Sequence, residues 1–412
     1  MPKPEYQVYR YRWVVLMVFM FIIAVTQMLW ISFAPITSKA AAFYGVSDLM
    51  IGLLSMSFMI VYIIVSIPAS WVIDTYGIRV GVGIGAVLTG VFGLMRGLFP
   101  ANFGLVMAAQ IGIGIGQPFV LNAITKVAAQ WFPLPERATA SGLGMLAAYL
   151  GIIAAMFITP ALTLAYSLSA MLAVYGVTAG LAAAVFLLFA RERPPSPPCP
   201  PGHEERALMF DGLKSVLRQR DFLMLLGIFF VGLGIFNGVT TWIEEIIRPR
   251  GFTVSQAGVL GGLMVVGGVI GAVILPPLSD RFRRRKPFIL LALIGAVPGL
   301  AGLTFATNYG LLLLSGFTLG FFLLAAGPIG FQYGAELTHP APEGTSNGLL
   351  LMMGQIAGII YIFAMDAFKS PSTGAMTGTI LVSLGLLVVC CFVGLGLRES
   401  AFLQREKETS RV

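Results

Sequence analysis

Twelve stretches of the chain are almost continuously apolar, and each is closed by charges, proline or glycine. In the first half they cover 12–36, 49–73, 80–99, 103–131, 138–163 and 168–190. In the second half they cover 222–247, 255–278, 287–306, 311–335, 346–368 and 377–397. A helix needs about 20 apolar residues to cross the hydrocarbon of a bilayer. The pattern therefore predicts an all-α membrane protein with twelve transmembrane helices. The one clear break is 191–221, which is rich in proline at first and charged later. Proline stiffens such a segment into an extended linker, and the part from Ala207 to Arg220 reads as a short amphipathic helix at the interface. The expected organisation is a six-helix half over 1–190, a cytoplasmic linker over 191–221, a second six-helix half over 222–397 and a cytoplasmic tail over 398–412.

Composition supports this pattern. Of the 412 residues, 57% are hydrophobic and 11% are charged, and mean hydropathy is +0.89. Soluble domains carry about 25% charged residues, so an ordinary soluble enzyme or binding module is excluded, and no enzymatic activity is expected. The chain is also too apolar to be disordered. The net charge of +8 would raise the question of nucleic acid in a soluble protein, but here it follows the loops. With the N-terminus placed in the cytoplasm, twenty Lys and Arg fall in inner segments and four, Lys39, Arg248, Arg250 and Lys369, fall outside. That asymmetry puts both termini in the cytoplasm, predicts a plasma (inner) membrane protein, and leaves no reason to expect a nucleic-acid partner. Arg12 leads straight into a long apolar run, which reads as a retained first helix. Cys199, Cys390, Cys391, His203 and His339 lack metal-ligand spacing, so neither a metal nor a cofactor is expected. A monomer in the bilayer is the expected state.

The chain repeats itself. Asp74-Thr75-Tyr76-Gly77-Ile78-Arg79 follows the second span, and Asp280-Arg281-Phe282-Arg283-Arg284-Arg285-Lys286 follows the eighth, 206 residues later. An acidic residue at a helix end can pair with a nearby Arg and latch two helices, so Asp74 with Arg79, and Asp280 with Arg281, are candidate gating residues. The alternative is that these charges only anchor the loops. One such loop per half resembles the signature of major facilitator transporters, although Arg283 stands where that family usually has Gly. More specifically, the chain resembles the feline leukaemia virus subgroup C receptor family of major facilitator proteins. The resemblance rests on Phe43-Tyr44-Gly45-Val46, Leu54-Ser55-Met56, Pro68-Ala69-Ser70-Trp71, Asp74-Thr75, Gln117 with Phe119, and Trp131-Phe132. In the second half it rests on Gly330-Phe331, Glu336-Leu337-Thr338, Glu343-Gly344-Thr345-Ser346, Gly348-Leu349-Leu350 and Gln355. It implies two pseudo-symmetric six-helix halves, alternating access, and transport of the kind associated with that family: choline and ethanolamine, with haem also proposed.

Cargo sites in this architecture lie near the bilayer midplane, between the halves. At ~1.5 Å per residue, Glu244 and Glu245 lie ~33 Å into the seventh span, close to its outer end. Lys126 and Glu336 approach inner ends, and Arg96 approaches an outer end. The midplane is thus nearly free of formal charge, which weighs against a proton relay. Amides and aromatics occupy it instead: Gln27 and Trp30 in the first span, Gln117 in the fourth, Tyr149 in the fifth, Asn237 in the seventh and Gln355 in the eleventh. The resemblance implies that Trp30 faces a bound quaternary ammonium and that Gln355 lines the same pocket. Tyr149 replaces a family glutamine, and Asn237 stands where a family tyrosine loosely aligns. Each has a structural alternative: Trp30 in an interfacial belt, Tyr149 at a close helix crossing, Gln117 and Gln355 as clips between helices. Asn237 lies among Gly232, Gly234 and Gly238, which would let the span bend at a cavity. Glu244 and Glu245 form either a cation-attracting vestibule or an interfacial pair neutralised by Arg248 and Arg250. Gly112, Gly114 and Gly116 read as helix packing, not as a phosphate loop.

Three functions compete. A facilitative carrier of a small organic cation or amine would use cation–π attraction. A proton-coupled carrier of organic anions or drugs would need Glu244 or another charge to move inward. A non-transporting receptor or sensor would usually carry a folded soluble domain. Haem fits poorly, since no His lies at mid-depth.

Overall fold

The computed structural model describes residues 7–196, 198, 216–338 and 343–399, and leaves the side chains of Leu134 and 343–345 undescribed. Cys199, His203, His339, the expected interfacial helix up to residue 215, and the tail from residue 400 lie outside the described residues. Within them the chain is helical, with no strand, and carries twelve helices long and apolar enough to cross a membrane. It divides into two compact units, Met1–Arg206 and Ala207–Val412.

The first unit contains α1 (Arg12–Ile31), a 3-10 turn (Ala34–Ile36), α2 (Thr37–Tyr44), α3 (Asp48–Tyr76) and α4 (Ile78–Leu98). It continues with α5 (Phe103–Leu121), α6 (Ile124–Trp131), α7 (Leu134–Ala165) and α8 (Leu168–Phe189). The second contains α9 (Arg220–Thr241), α10 (Ile243–Ile247), a 3-10 turn (Arg248–Arg250) and α11 (Val254–Phe282). It ends with α12 (Lys286–Phe305), α13 (Tyr309–Thr338), α14 (Glu343–Ala367) and α15 (Thr377–Leu395). The two units share an internal plan. In the first, α1 packs on α7, α3 on α5, and α4 on α8; in the second, α9 packs on α14, α11 on α13, and α12 on α15.

The spans begin where the residues can cap them. Ser47, Asn102 and Ser167 accept hydrogen bonds from the first turns of α3, α5 and α8. Thr253 and Gln256 close a capping box on α11, and Asn308 accepts from Gly310 and Leu311 at the start of α13. Each side chain satisfies donors that a helix leaves orphaned. At the start of α4 the acceptor comes from elsewhere: Glu192, beyond α8, accepts from the backbone of Ile78 (3.1 Å) and Arg79 (2.7 Å). The second unit repeats the device, with Glu399, beyond α15, accepting from Arg285 (2.7 Å) and Lys286 (3.3 Å).

The first span does not end at residue 36, as its pattern suggests, but runs on to Tyr44. Pro35 is the reason. It lacks the N–H that would bond to the Ile31 carbonyl, so α1 stops there. Its fixed φ then suits the first position of the next helical turn. The seventh span likewise breaks, at Trp242, and the fourth breaks at Asn122–Ala123.

Arg283 ends α11 at φ +50°, the one non-glycine residue with positive φ among those described. The matching position in the first unit is Gly77, at φ +91°. A left-handed conformation costs an L-residue about 1–2 kcal/mol, part of which glycine gives back as entropy of the unfolded chain. Arg283→Gly is therefore expected to raise stability by about 0.5–1 kcal/mol, read as a higher melting temperature of the purified protein. A lower one would contradict strain at this position.

Candidate functional site

In the first unit the polar candidates gather at the end of α1. Trp30 is 6% exposed, and its indole Nε1 donates to the Ser55 carbonyl (3.1 Å) on α3. The Ser55 hydroxyl returns a bond to the Trp30 carbonyl (3.4 Å). One turn earlier, Gln117 on α5 donates to the Gln27 amide oxygen (2.6 Å), so these two amides clip α5 to α1. Tyr149 is half-buried on α7 and its hydroxyl has no hydrogen-bond partner among the described residues. The small residues around it serve a close crossing: a Cβ on Gly151 would land on the Ala24 carbonyl of α1. Gly112 leaves room for the Phe92 ring of α4, and Gly85 and Gly116 each face the other's carbonyl across the α4–α5 crossing.

In the second unit Asn237 on α9 donates to the Gly354 carbonyl (3.2 Å) on α14. From sequence the glycines around Asn237 would let α9 bend at a cavity; in the structure Gly234 and Gly238 serve a close crossing with α14. The helix runs unbroken to Thr241, and Gly234 and Gly238 instead leave room for Tyr361 of α14, whose ring stands 6.4 Å from that of Phe230. Gln355, next to the Gly354 acceptor, is half-buried and its amide has no hydrogen-bond partner among the described residues. Trp242, at the break of the seventh span, is fully buried and donates to the Ile362 carbonyl (3.1 Å). The reading from sequence missed it.

Glu244 and Glu245 are 2% and 0% exposed, so neither presents an open vestibule here. Glu245 accepts from Arg248 (2.5 Å) and Lys369 (2.7 Å). Arg248 is the partner expected; Arg250 is not a partner, since its guanidinium donates to the carbonyls of Ala306 (2.9 Å) and Ile246 (3.1 Å). Burial among these neutral groups pulls the Arg250 pKa below its ordinary value.

The repeated acidic loops do form ion pairs, but with other partners than those expected. Asp74 pairs with Lys126 (3.0 Å) of α6, whose ammonium also donates to the Ile73 carbonyl (2.6 Å) at the end of α3. Arg79 is exposed, and it is its backbone that is engaged, by Glu192. Asp280 pairs with Arg285, not with the exposed Arg281. Arg285 also bonds to Glu336 (2.8 Å) of α13, and these two side chains are 7% and 5% exposed. Burial works against the Arg285 charge, but the hydrogen bonds and charges of Glu336 and Asp280 outweigh it and raise its pKa. Each half thus ties the end of its second span to its fourth, directly through Lys126 in one and through Arg285 in the other.

A further cluster carried no signal in the pattern of apolar runs. Asn122, at the break of the fourth span, accepts from the Tyr62 hydroxyl (2.7 Å) and donates to Ser66 and Ser70 oxygens (3.0 Å each) on α3. The carboxylate caps, by contrast, had one: Glu192 and Glu399 lie 207 residues apart, nearly the spacing of Asp74 and Asp280.

Six spans in each of two units with a repeated plan define a polytopic helical membrane protein. The chain belongs to the Major Facilitator Superfamily, whose pattern matches residues 15–362. Its relatives include solute carrier family 49 member A3 of Xenopus tropicalis, 31% identical over 390 residues, covering 90% of this chain and 80% of that protein. They also include the human choline/ethanolamine transporter FLVCR2, 28% identical over 421 residues, covering 97% and 78%. The resemblance expected from the motifs is therefore present. Among solved structures, the fold is similar to a bacterial homologue of the lysosomal transporter Spinster, with a TM-score of 0.72 at 16% identity over 96% of this chain and 97% of that one. It is also similar to the nucleoside transporter NupG, with a TM-score of 0.71 at 12% identity over 93% and 99%. The protein is an integral membrane transporter.

Proposed function

We propose that this transporter carries a small organic cation of the choline type by facilitative alternating access, as a monomer in the plasma (inner) membrane with both termini in the cytoplasm. The observation that carries the reading is how the polar candidates are engaged. Trp30, Gln27, Gln117 and Asn237 have hydrogen bonds inside their own halves, whereas the Tyr149 hydroxyl and the Gln355 amide have none among the described residues. Cargo recognition then falls to those two polar groups and to the π face of Trp30, whose N–H is already engaged. A quaternary ammonium has no N–H to donate, and an aromatic face holds it without a buried carboxylate. The choline/ethanolamine transporters among the relatives support the same cargo class. The proton-coupled alternative has less behind it, because Glu244 is 2% exposed and the neighbouring Glu245 is held by two cations.

Thermal-shift titration of the purified protein tests this. Choline is expected to raise the melting temperature, since a ligand of the folded state stabilises it; carboxylates are expected to leave it unchanged. Trp30→Ala is expected to lose about 1–2 kcal/mol of choline affinity, and Trp30→Phe part of that. Choline binding that survives both Trp30→Ala and Gln355→Ala would remove these two residues from cargo recognition.

The Asp74–Lys126 pair is a latch on the alternation, remote from cargo, in this proposal. Asp74→Asn is expected to change the rate of choline exchange while leaving affinity within about twofold. An unchanged rate with lost affinity would reverse that assignment.

A further inference from the structure

Arg96, near the end of α4, is 0% exposed in an apolar span and makes no ion pair among the described residues. A charge there is costly, and its guanidinium atoms Nε and Nη2 have no acceptor among the described residues, which adds to the cost. Its remaining nitrogen, Nη1, shows what it does. It donates to the Gln110 amide oxygen (2.6 Å), the Ser32 hydroxyl (3.2 Å) and the Leu29 carbonyl (3.3 Å). Gln110, so oriented, donates its own amide to the carbonyls of Leu29 (3.2 Å) and Trp30 (3.4 Å). These carbonyls belong to the last turn of α1, which Pro35 brings to a stop. The end of a helix carries about half a negative charge, and the Phe33 ring centroid lies 5.5 Å from the guanidinium carbon. The broken helix and the ring together compensate a cation that lacks a carboxylate.

We propose that Arg96 is a positioning residue for Trp30. With Gln110 it caps the broken first span and fixes the backbone from which the indole projects, while Ser55 fixes the indole N–H. This rests on the reading of Trp30 as a cargo contact. A lysine at 96 keeps the charge at the helix end and has three donors on its one nitrogen, but it loses the planar guanidinium that lies over the Phe33 ring. A glutamine keeps a donor and loses the charge.

The test uses purified full-length Arg96→Gln, Arg96→Lys and Gln110→Leu, each with and without Trp30→Phe. The difference spectrum within each pair isolates Trp30 emission and its quenching by acrylamide, without reference to cargo. Choline affinity is measured on the same proteins. Arg96→Gln is expected to shift Trp30 emission to the red, increase quenching and weaken choline binding by about tenfold. Arg96→Lys is expected to restore affinity to within about threefold of the parent. Should Arg96→Gln fail to fold, Gln110→Leu decides, with the same spectral change and about threefold weaker binding expected. Unchanged Trp30 emission together with unchanged choline affinity in a folded variant would overturn the proposal. If the parent protein binds no choline, the cargo reading fails, and the emission of Trp30 alone decides whether Arg96 positions it.

Discussion

Gly320→Val is expected to leave little folded protein. Gly320 lies on α13 where it crosses α11, and a Cβ there would land on the Met264 carbonyl. The fit is reciprocal, because Gly267 and Gly271 of α11 face the carbonyls of Phe317 and Phe321 on α13. Backbone meets backbone on both sides, so no side chain can swing aside to make room. Small residues of this kind let membrane helices approach closely and gain packing where lipid offers no hydrophobic drive. Overpacking a close crossing costs about 1–3 kcal/mol and more when backbone must move; about 3 kcal/mol or more is expected here. The measurement is the yield of monodisperse protein and its melting temperature. Gly327→Ala on the same helix is the control, since a Cβ there meets nothing within 4 Å, and it is expected to stay within about 0.5 kcal/mol of the parent. Equal behaviour of the two variants would mean that the α11–α13 crossing is not so close.

Arg285→Met is the second large effect expected. It leaves Glu336, 5% exposed, without its 2.8 Å partner. Removing one member of a buried pair costs about 3–5 kcal/mol, most of it from the charge left behind. The double change Arg285→Met with Glu336→Gln is expected to recover most of that loss. Asp280, whose side chain is 64% exposed, contributes little, because water screens it. Chemical or thermal unfolding of the single and double variants decides the matter. A double variant as unstable as the single one would show that Arg285 acts through packing rather than through Glu336.

The twelve spans could be read from the sequence because a membrane imposes one rule on every spanning segment: about 20 apolar residues with all backbone polar groups bonded internally. The repeat was readable for a similar reason, since Asp74 and Asp280 interrupt apolar runs at matching places. What the pattern could not show was partner choice. Asp74 has Arg79 five residues away, yet it pairs with Lys126 across a helix boundary. Asp280 is followed immediately by Arg281, which points elsewhere, while Arg285 turns back to it and to Glu336. Nearness in sequence favours the wrong partner in both cases, because Arg79 in the first turn of α4 and Arg281 in the last turn of α11 are both exposed. The apolar run carries the first span past Pro35 to residue 36, so neither the stop of α1 nor the new turn at this proline was legible from the pattern. Trp30 was legible as an aromatic at mid-depth, but the engagement of its N–H by Ser55 depends on the packing of α1 against α3. Arg96 read as a charge near a span end, and only the hydrogen bonds to α1 tie it to the candidate site.

Radiolabelled choline exchange in proteoliposomes containing only this protein tests the central claim most directly. The expected result is saturable exchange that unlabelled choline competes away. It should be insensitive to an imposed pH gradient, because neither Trp30 nor Gln355 titrates. Trp30→Ala should reduce it about tenfold at subsaturating choline. Exchange that is absent in the parent protein, or that appears only with a pH gradient and vanishes in Glu244→Gln, would contradict a facilitative organic-cation carrier.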